Sequence, residues 1–477
     1  MSPFSGPGSR MALALRRSGM PPFRIQRPRS ILCLLFGINL VNFFDRQIFA
    51  AVTEPVRHEW GLTDSQLGWL VTAFTLLYAL VGLPLGRLAD VWKRSRLLTA
   101  GLAFWSGLTF VSGLSRNYWA LFGARLGVGI GEAACAPAAS SLIGDICRPA
   151  ERARAMSIFM LGLPAGVALS YVVGGAVAQR WGWRAVFYIA GIPGLLLAGI
   201  SMFLAEPLRG RAEAVTAGSG HRPGSPARLI LSIPTMRWII VSGLLHNFIM
   251  YALTFFLPSF LMRHHQATLR TAGAVSALVI GIVGALGMLV GGWLGDRVRK
   301  VRPDGRMLLA GTAVLAAAPA GLSALLLPQG ALLPFMVLQG IAAFLMYTYY
   351  ATVYATIHDI IEPGLRGRAM AIYFFAMYLL GASLGPVAIG WLSDFLAGHA
   401  AVASGFAATG APAIPEAFRA AGLRQAMFLI PALGMVLAAV LFAGAATVGG
   451  DIRSMQAWLL QSRRAESSSA TESGGPC

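Results

Sequence analysis

Residues 144–156 read GDICRPAERARAM, and residues 358–370 read HDIIEPGLRGRAM. Asp145 and Asp359, Pro149 and Pro363, Arg152 and Arg366, Arg154 and Arg368, and Met156 and Met370 recur at one constant spacing of 214 residues. Each copy ends a long apolar run. A second correspondence pairs GRLAD at 86–90 with GWLGD at 292–296, again at the close of an apolar run. Two matches in the same order imply a chain built from two parallel halves, an arrangement common among transporters, with the substrate held between the repeats near mid-membrane.

Composition agrees with a chain buried in lipid. Of 477 residues, 56% are hydrophobic and 12% charged, about half the roughly 25% charged residues of a soluble domain. A bilayer-spanning helix needs about 20 mostly apolar residues. Twelve runs meet that need, at about 30–52, 66–88, 97–113, 118–145, 155–178, 185–205, 237–262, 271–294, 307–327, 331–357, 369–393 and 425–447. The expected fold is all-α, with twelve transmembrane helices in two pseudo-symmetric six-helix bundles. The expected division is a basic N-terminal tail at 1–29, bundles at 30–205 and 237–447, a linker at 206–236 and a tail at 448–477. The segments 206–236, 398–422 and 462–477 are expected to pack poorly.

The net charge of +19 does not point to nucleic acid, because the arginines are scattered between apolar runs and no RNA-binding motif accompanies them. Their placement sets orientation instead. With both termini inside, 28 of the 38 basic residues face the cytosol and eight face out, as the positive-inside rule requires. Arginine-for-lysine and alanine-rich usage suggests a bacterial inner membrane. The four cysteines have no metal or disulfide spacing. No cofactor, metal or enzymatic arrangement is expected, and no phosphate-cradling Gly-x-x-x-x-Gly-Lys loop is present. The expected partners are the bilayer, protons and an amphiphilic small molecule, with the chain acting as a monomer.

The loop Gly86-x-Leu88-x-Asp90-x-x-x-Arg94 and the run Arg125-x-x-x-Gly129-x-Gly131 resemble signatures of the major facilitator superfamily. Within it, Asn42-Phe-Phe-Asp45-Arg46 and Arg125-Leu-Gly-Val-Gly129-Ile-Gly131-Glu132-Ala133 are similar to the spinster group of lysolipid and sphingolipid transporters. Spinster proteins usually continue with Ser and Tyr where this chain has Ala134 and Cys135. Asp64-Ser-Gln-Leu-Gly68 and Trp181-Gly-Trp183-Arg184 resemble organic anion symporters of the same superfamily. The resemblance implies secondary transport by alternating access, proton-coupled, of an amphiphilic anion such as a lysophospholipid or sphingoid phosphate. The alternative is a small organic anion or drug.

Asp45, Arg46, Arg125 and Glu132 lie inside apolar runs, where a charge costs about 2.5–3.5 kcal/mol even on the lenient insertion scale. Counting from the outer ends places Asp45 level with Arg125, which would keep it ionised. Glu132 falls two turns deeper, opposite Asn39 and with no arginine at its level, so it is the first candidate for reversible protonation and Asp45 the second. Arg46, which shares a face with Asn39 and Asn42, is left to meet an anionic headgroup or to exchange partners as the protein changes state. In the second half, His246, Asn247 and Tyr251 of the seventh run and Tyr347, Tyr350 and Tyr354 of the tenth are candidates to line the cavity; the last three share one face, either in helix packing or an interface belt or as an amphipathic wall against a chain, and His246 reads more readily as an interhelical hydrogen-bond donor than as a proton carrier. By resemblance, Asp90 and Asp296 dock at the helices starting near Ala369 and Ala155 when the cytosolic side is shut. Arg94, Arg152, Arg297 and Arg366 belong to the same gate. Glycines 162, 166, 174, 175, 381 and 385 are expected to allow close helix approach, and Pro164 and Pro386 to bend their helices.

Overall fold

The computed structural model describes residues 25–147, 149–207, 225–362, 365–406 and 414–472. Twelve long helices are present among them, labelled α1 (Pro28–Trp60), α2 (Asp64–Ala89), α3 (Arg94–Ser112), α4 (Tyr118–Ile146), α5 (Arg154–Trp181), α6 (Trp183–Ser201), α7 (Pro234–His264), α8 (Leu269–Val301), α9 (Gly305–Leu326), α10 (Leu332–Ile360), α11 (Arg366–Ala403) and α12 (Glu416–Trp458). Eleven are long and apolar enough to cross a membrane. The exception, α3, buries Arg94, Ser95, Ser106, Thr109 and Ser112. These polar groups face the bundle and lower the helix's hydropathy.

Helices α1–α6 pack as one bundle and α7–α12 as another, joined where α2 meets α11 and α5 meets α8. The start of α1 and the end of α12 lie on one side, called here the terminal face; the other is the distal face. Within bundles, glycine sets the spacing. A methyl group on Gly162 would fall 2.8 Å from the Leu40 amide nitrogen, and one on Gly381 would fall 2.5 Å from the Leu244 carbonyl oxygen. The two halves thus use one device, α5 on α1 and α11 on α7.

The expected bends occur. Proline cannot donate the helical hydrogen bond to the residue four before it. Helix α5 is interrupted at Leu161, just before Pro164, and α11 has a widened turn at Met377–Ala382, ahead of Pro386. There the Ser383 amide donates to the Tyr378 carbonyl five residues back at 3.1 Å.

Several expected boundaries move. The linker region holds a short helix, Pro226–Ser232, and α7 begins at Pro234; residues 208–224 lie outside the described ones. The helix of α12 runs on to Glu472, well past the expected end at 447. Poor packing is expected over 398–422, yet its last residues belong to the helix Glu416–Met427, where a methyl group on Gly422 would meet the Ser393 carbonyl at 2.5 Å. Loop-like composition around 410 hid this helical start.

The distal halves of α2 and α11 touch backbone to backbone: a methyl group on Gly68 would lie 2.6 Å from the Pro386 carbonyl oxygen. Replacing Gly68 by leucine is expected to prise this seam apart. Spin labels at Arg116 and Gln329 should then give a distance distribution longer by several ångström.

Candidate transport site and distal gate

Two turns of α1 and the middle of α4 build the charged centre. Helix α4 is interrupted at Ala133–Ala134, directly after Glu132. Asp45 and Glu132 are 0% exposed, Arg125 1% and Arg46 7%. Arg46 donates from both Nε and Nη2 to Glu132 Oε2, each at 3.1 Å. Its guanidinium also lies 4.4 Å from the ring of Tyr78, 5.0 Å from Phe43, 5.4 Å from Phe74 and 6.0 Å from Tyr378. Rings around a guanidinium offer cation–π attraction where water is excluded. Tyr378 comes from α11, so both bundles contribute to this cage.

The pairing differs from the one expected by counting turns. Glu132 does have an arginine, because Arg46 spans the difference in depth with its long side chain. Arg125 does not donate to the Asp45 carboxylate; its two Nη atoms reach the main-chain carbonyls of Asp45 and Arg46 at 3.4 Å. Asp45 Oδ2 accepts instead from Thr109 Oγ1 at 3.4 Å. Glu132 Oε1, Asp45 Oδ1 and Asn42 Nδ2 are buried without a hydrogen-bond partner among the described residues. Buried polar atoms are hydrogen-bonded as a rule, so three unpartnered ones in a single cluster single it out.

On the α7–α12 side, Tyr350 lies between Tyr347 and Tyr354, with ring centroids 5.8 and 5.7 Å away. Tyr251 meets Tyr378 edge-on at 6.2 Å. These four candidates are only partly buried. Three others lie in helix packing and do not face that space. Asn39 donates to the Phe159 carbonyl at 2.8 Å. His246 stacks on Tyr349 at 3.9 Å, with Nε2 3.1 Å from the Met346 carbonyl oxygen. Asn247 donates to Gly243 within its own helix.

At the terminal face the candidate gate residues described here bind within their own bundle. Arg94 pairs with Asp145 and, at 2.9 Å, with Glu206. Burial would raise the Glu206 carboxyl, but the Ser95 amide and hydroxyl and the Arg94 guanidinium hold it below its ordinary range. Asp296 accepts from Arg306 at 2.6 Å, and Arg306 also pairs with Asp359 at 2.7 Å. Arg152 donates to the Gly144 carbonyl, Arg366 to Ile361, and Arg297 lies over Trp293. The Asp90 side chain lies outside the described residues.

The distal face holds what sequence reading missed. Arg263 of α7 reaches Glu54 Oε1 at 2.7 Å and both Asp64 oxygens at 2.7 and 2.8 Å. Arg57 joins Glu54 at 3.0 Å to Glu416 at 2.8 Å, and Ser393 donates to Asp64 at 2.7 Å. Asp394 of α11 accepts the Asp64 and Ser65 amides that open α2, at 3.0 and 2.8 Å. The unpaired amides and dipole of a helix start favour such an anion. At the matching seam, Gln179 accepts the Arg270 amide at the start of α8 at 3.0 Å. The sequence signal available was Asp64-Ser-Gln-Leu-Gly68 together with the eight arginines outside. Trp183 and Arg184 of the quoted Trp-Gly-Trp-Arg stretch hold Glu59 at 2.7–2.8 Å, bracing α1 against α6.

The bundles are therefore sealed on the distal side by ion pairs crossing between them, while the ion pairs described at the terminal face stay within each bundle. Residues 35–386 match the profile of the Major Facilitator Superfamily. The chain belongs to that family. It is 28% identical to Protein spinster homolog 1 of Homo sapiens over 417 residues, covering 80% of this chain and 75% of the relative. It is also 28% identical to an MFS-type efflux pump of Mycolicibacterium smegmatis over 360 residues, 75% of this chain and 83% of that one. A crystal structure of a bacterial homologue of the human lysosomal transporter spinster, inward-facing and unoccupied, superposes with a TM-score of 0.82 at 28% identity, covering 89% of this chain and 98% of the other. The chain is a multi-pass membrane transporter close to the spinster group, and not an enzyme.

Removing one partner of a buried ion pair costs about 3–5 kcal/mol, because the other charge is stranded. Arg263→Met should therefore weaken the distal seal and raise the population with that face open. The check is the same Arg116–Gln329 label pair; an unchanged distance distribution would count against the gate.

Proposed function

We propose that this transporter uses a proton gradient to move a single-chain amphiphilic anion, such as a lysophospholipid or sphingoid phosphate, across a bacterial inner membrane by alternating access. In this reading the chain works as a monomer with both termini in the cytosol, so the distal seal is the outer one. The carrying observation is the Arg46–Glu132 pair, whose carboxylate keeps one oxygen unpartnered inside a ring cage drawn from both bundles.

Arg46 commits two of its donors, Nε and Nη2, to the Glu132 carboxylate. When Glu132 takes a proton it loses its hold on Arg46, and an anionic headgroup can replace it. When Glu132 is ionised, it competes with that headgroup for the same donors. Proton and substrate thus bias one equilibrium through one arginine, which is what linkage between two ligands requires. Asp45 and Arg125 stand beside the pair as a second carboxylate and a second cation, not bonded to each other through their side chains. Tyr251, Tyr347, Tyr350 and Tyr354 supply ring faces for a hydrocarbon chain and hydroxyls for a polar neck. In the opposite state, Asp90, Arg94, Arg152, Asp296, Arg297 and Arg366 would re-form contacts across the terminal face.

In proteoliposomes under an imposed pH gradient, Glu132→Gln is expected to lose at least tenfold of gradient-driven lysophospholipid uptake while retaining substrate exchange. Full driven uptake by that variant would refute the assignment. Arg46→Gln should lose binding of the anionic lysophospholipid, and a short-chain carboxylate competing equally well with it would favour a small organic anion instead.

A further inference from the structure

The charges at mid-membrane balance. Among the described residues, the buried carboxylates and guanidiniums fall into three groups: Arg94 at the terminal face, Glu54, Arg57, Asp64 and Arg263 in the distal seal, and Asp45, Arg46, Arg125 and Glu132 at the centre. The central group holds two cations and two anions, so it is neutral with both carboxylates ionised. All four come from α1 and α4. The other titratable groups facing them are Tyr78 of α2, Tyr251 of α7, Tyr378 of α11 and the Cys135 thiol of α4, types that are uncharged near neutral pH. His246 is turned into helix packing against Tyr349. No third arginine or lysine is buried at this depth among the described residues.

Balance at this depth has a physical reason. An unmatched charge at the bilayer centre costs about 2.5–3.5 kcal/mol even on the lenient insertion scale. Alternating access meets that cost each time the site is shut from both faces. An anionic head added to the ionised cluster would leave one negative charge in excess, with no free cation to match it. Arg46 already gives two donors to Glu132, and Arg125 commits its Nη atoms to the carbonyls of Asp45 and Arg46. One proton on Glu132 corrects the sum. It removes a negative charge and releases both Arg46 donors together. The cluster then sums to zero when empty and ionised, and again when loaded with the head and the proton.

We propose that the protein carries one proton, on Glu132, in the same direction as each singly charged lipid head, so that its cycle moves no net charge. This rests on the proton-coupled reading above and adds its stoichiometry, its direction and its driving force. The proton enters with the head and sits on the Glu132 carboxylate while the phosphate accepts from Arg46 Nε and Nη2. Both leave at the opposite face, and Glu132 takes Arg46 back. Asp45 stays ionised throughout as the stationary counter-charge of Arg125. The pH difference across the membrane drives uptake, and the electrical potential does not. A carrier neutralised at Glu132 holds a surplus positive charge when empty, which ties it to its lipid and leaves exchange without net uptake.

Two measurements on the full-length protein test this with lysophosphatidylglycerol, whose phosphodiester keeps a single charge. In a non-ionic detergent, proton uptake on binding is read from the pH dependence of affinity. One proton taken up per lipid weakens binding about tenfold for each pH unit above the range in which the empty site holds a proton, by linkage. Glu132→Gln should bind without that dependence. In proteoliposomes, uptake is followed under a pH gradient with the potential clamped at zero by valinomycin and equal potassium, then under potassium gradients of either sign at equal pH. The pH gradient should drive accumulation, and a potential of either sign should leave the initial rate unchanged. Uptake that follows the potential at equal pH, or a pH slope that survives in Glu132→Gln, would overturn the proposal and leave proton coupling standing. A wild-type protein whose binding and uptake both ignore pH would instead remove the proton-coupled reading, and the stoichiometry with it.

Discussion

The Arg46–Glu132 pair is the constraint around which the membrane interior is organised. Two charges removed from water cost several kcal/mol each after relaxation, and their attraction offsets that cost only with good geometry and supporting groups. The pair meets this partly, with two donor contacts to one oxygen and four rings around the cation. Among the described residues the other carboxylate oxygen accepts no hydrogen bond. The four rings stabilise the guanidinium where water is excluded.

The distal seal obeys the opposite rule. Arg263, Arg57, Glu54 and Asp64 satisfy one another almost fully, and the glycines beneath them bring helices to backbone contact. Here geometry is complete, so the contact is held rather than poised. The distal network crosses between the bundles, whereas the ion pairs seen among the described residues at the terminal face stay within each bundle.

Sequence was a good guide to whatever depends on local spacing. The repeat at Asp145 and Asp359, the helix count, the proline bends and the close glycines are all set by neighbours along the chain, and a sequence displays neighbours. The four buried charges were also legible, because any charge inside an apolar run stands out. Their pairing was not. Counting turns locates Cα atoms, but an arginine side chain spans more than one helical turn, so Arg46 reached Glu132 past the level at which counting stopped. The distal network was hidden for another reason. Charges at the ends of apolar runs are ordinary, and Glu54 and Arg263 stand 209 residues apart. Only their meeting makes them unusual.

The two seams that close the distal face are not equals, although the halves repeat. A carboxylate, Asp394, clasps two amides at the start of α2, whereas a neutral amide, Gln179, clasps one at the start of α8. Ionised acceptors make hydrogen bonds roughly twice as strong as neutral ones. The internal symmetry of the chain is therefore not carried into its fastenings: the line between α2 and α11 is tied by a charged clasp, the line between α5 and α8 by a neutral one.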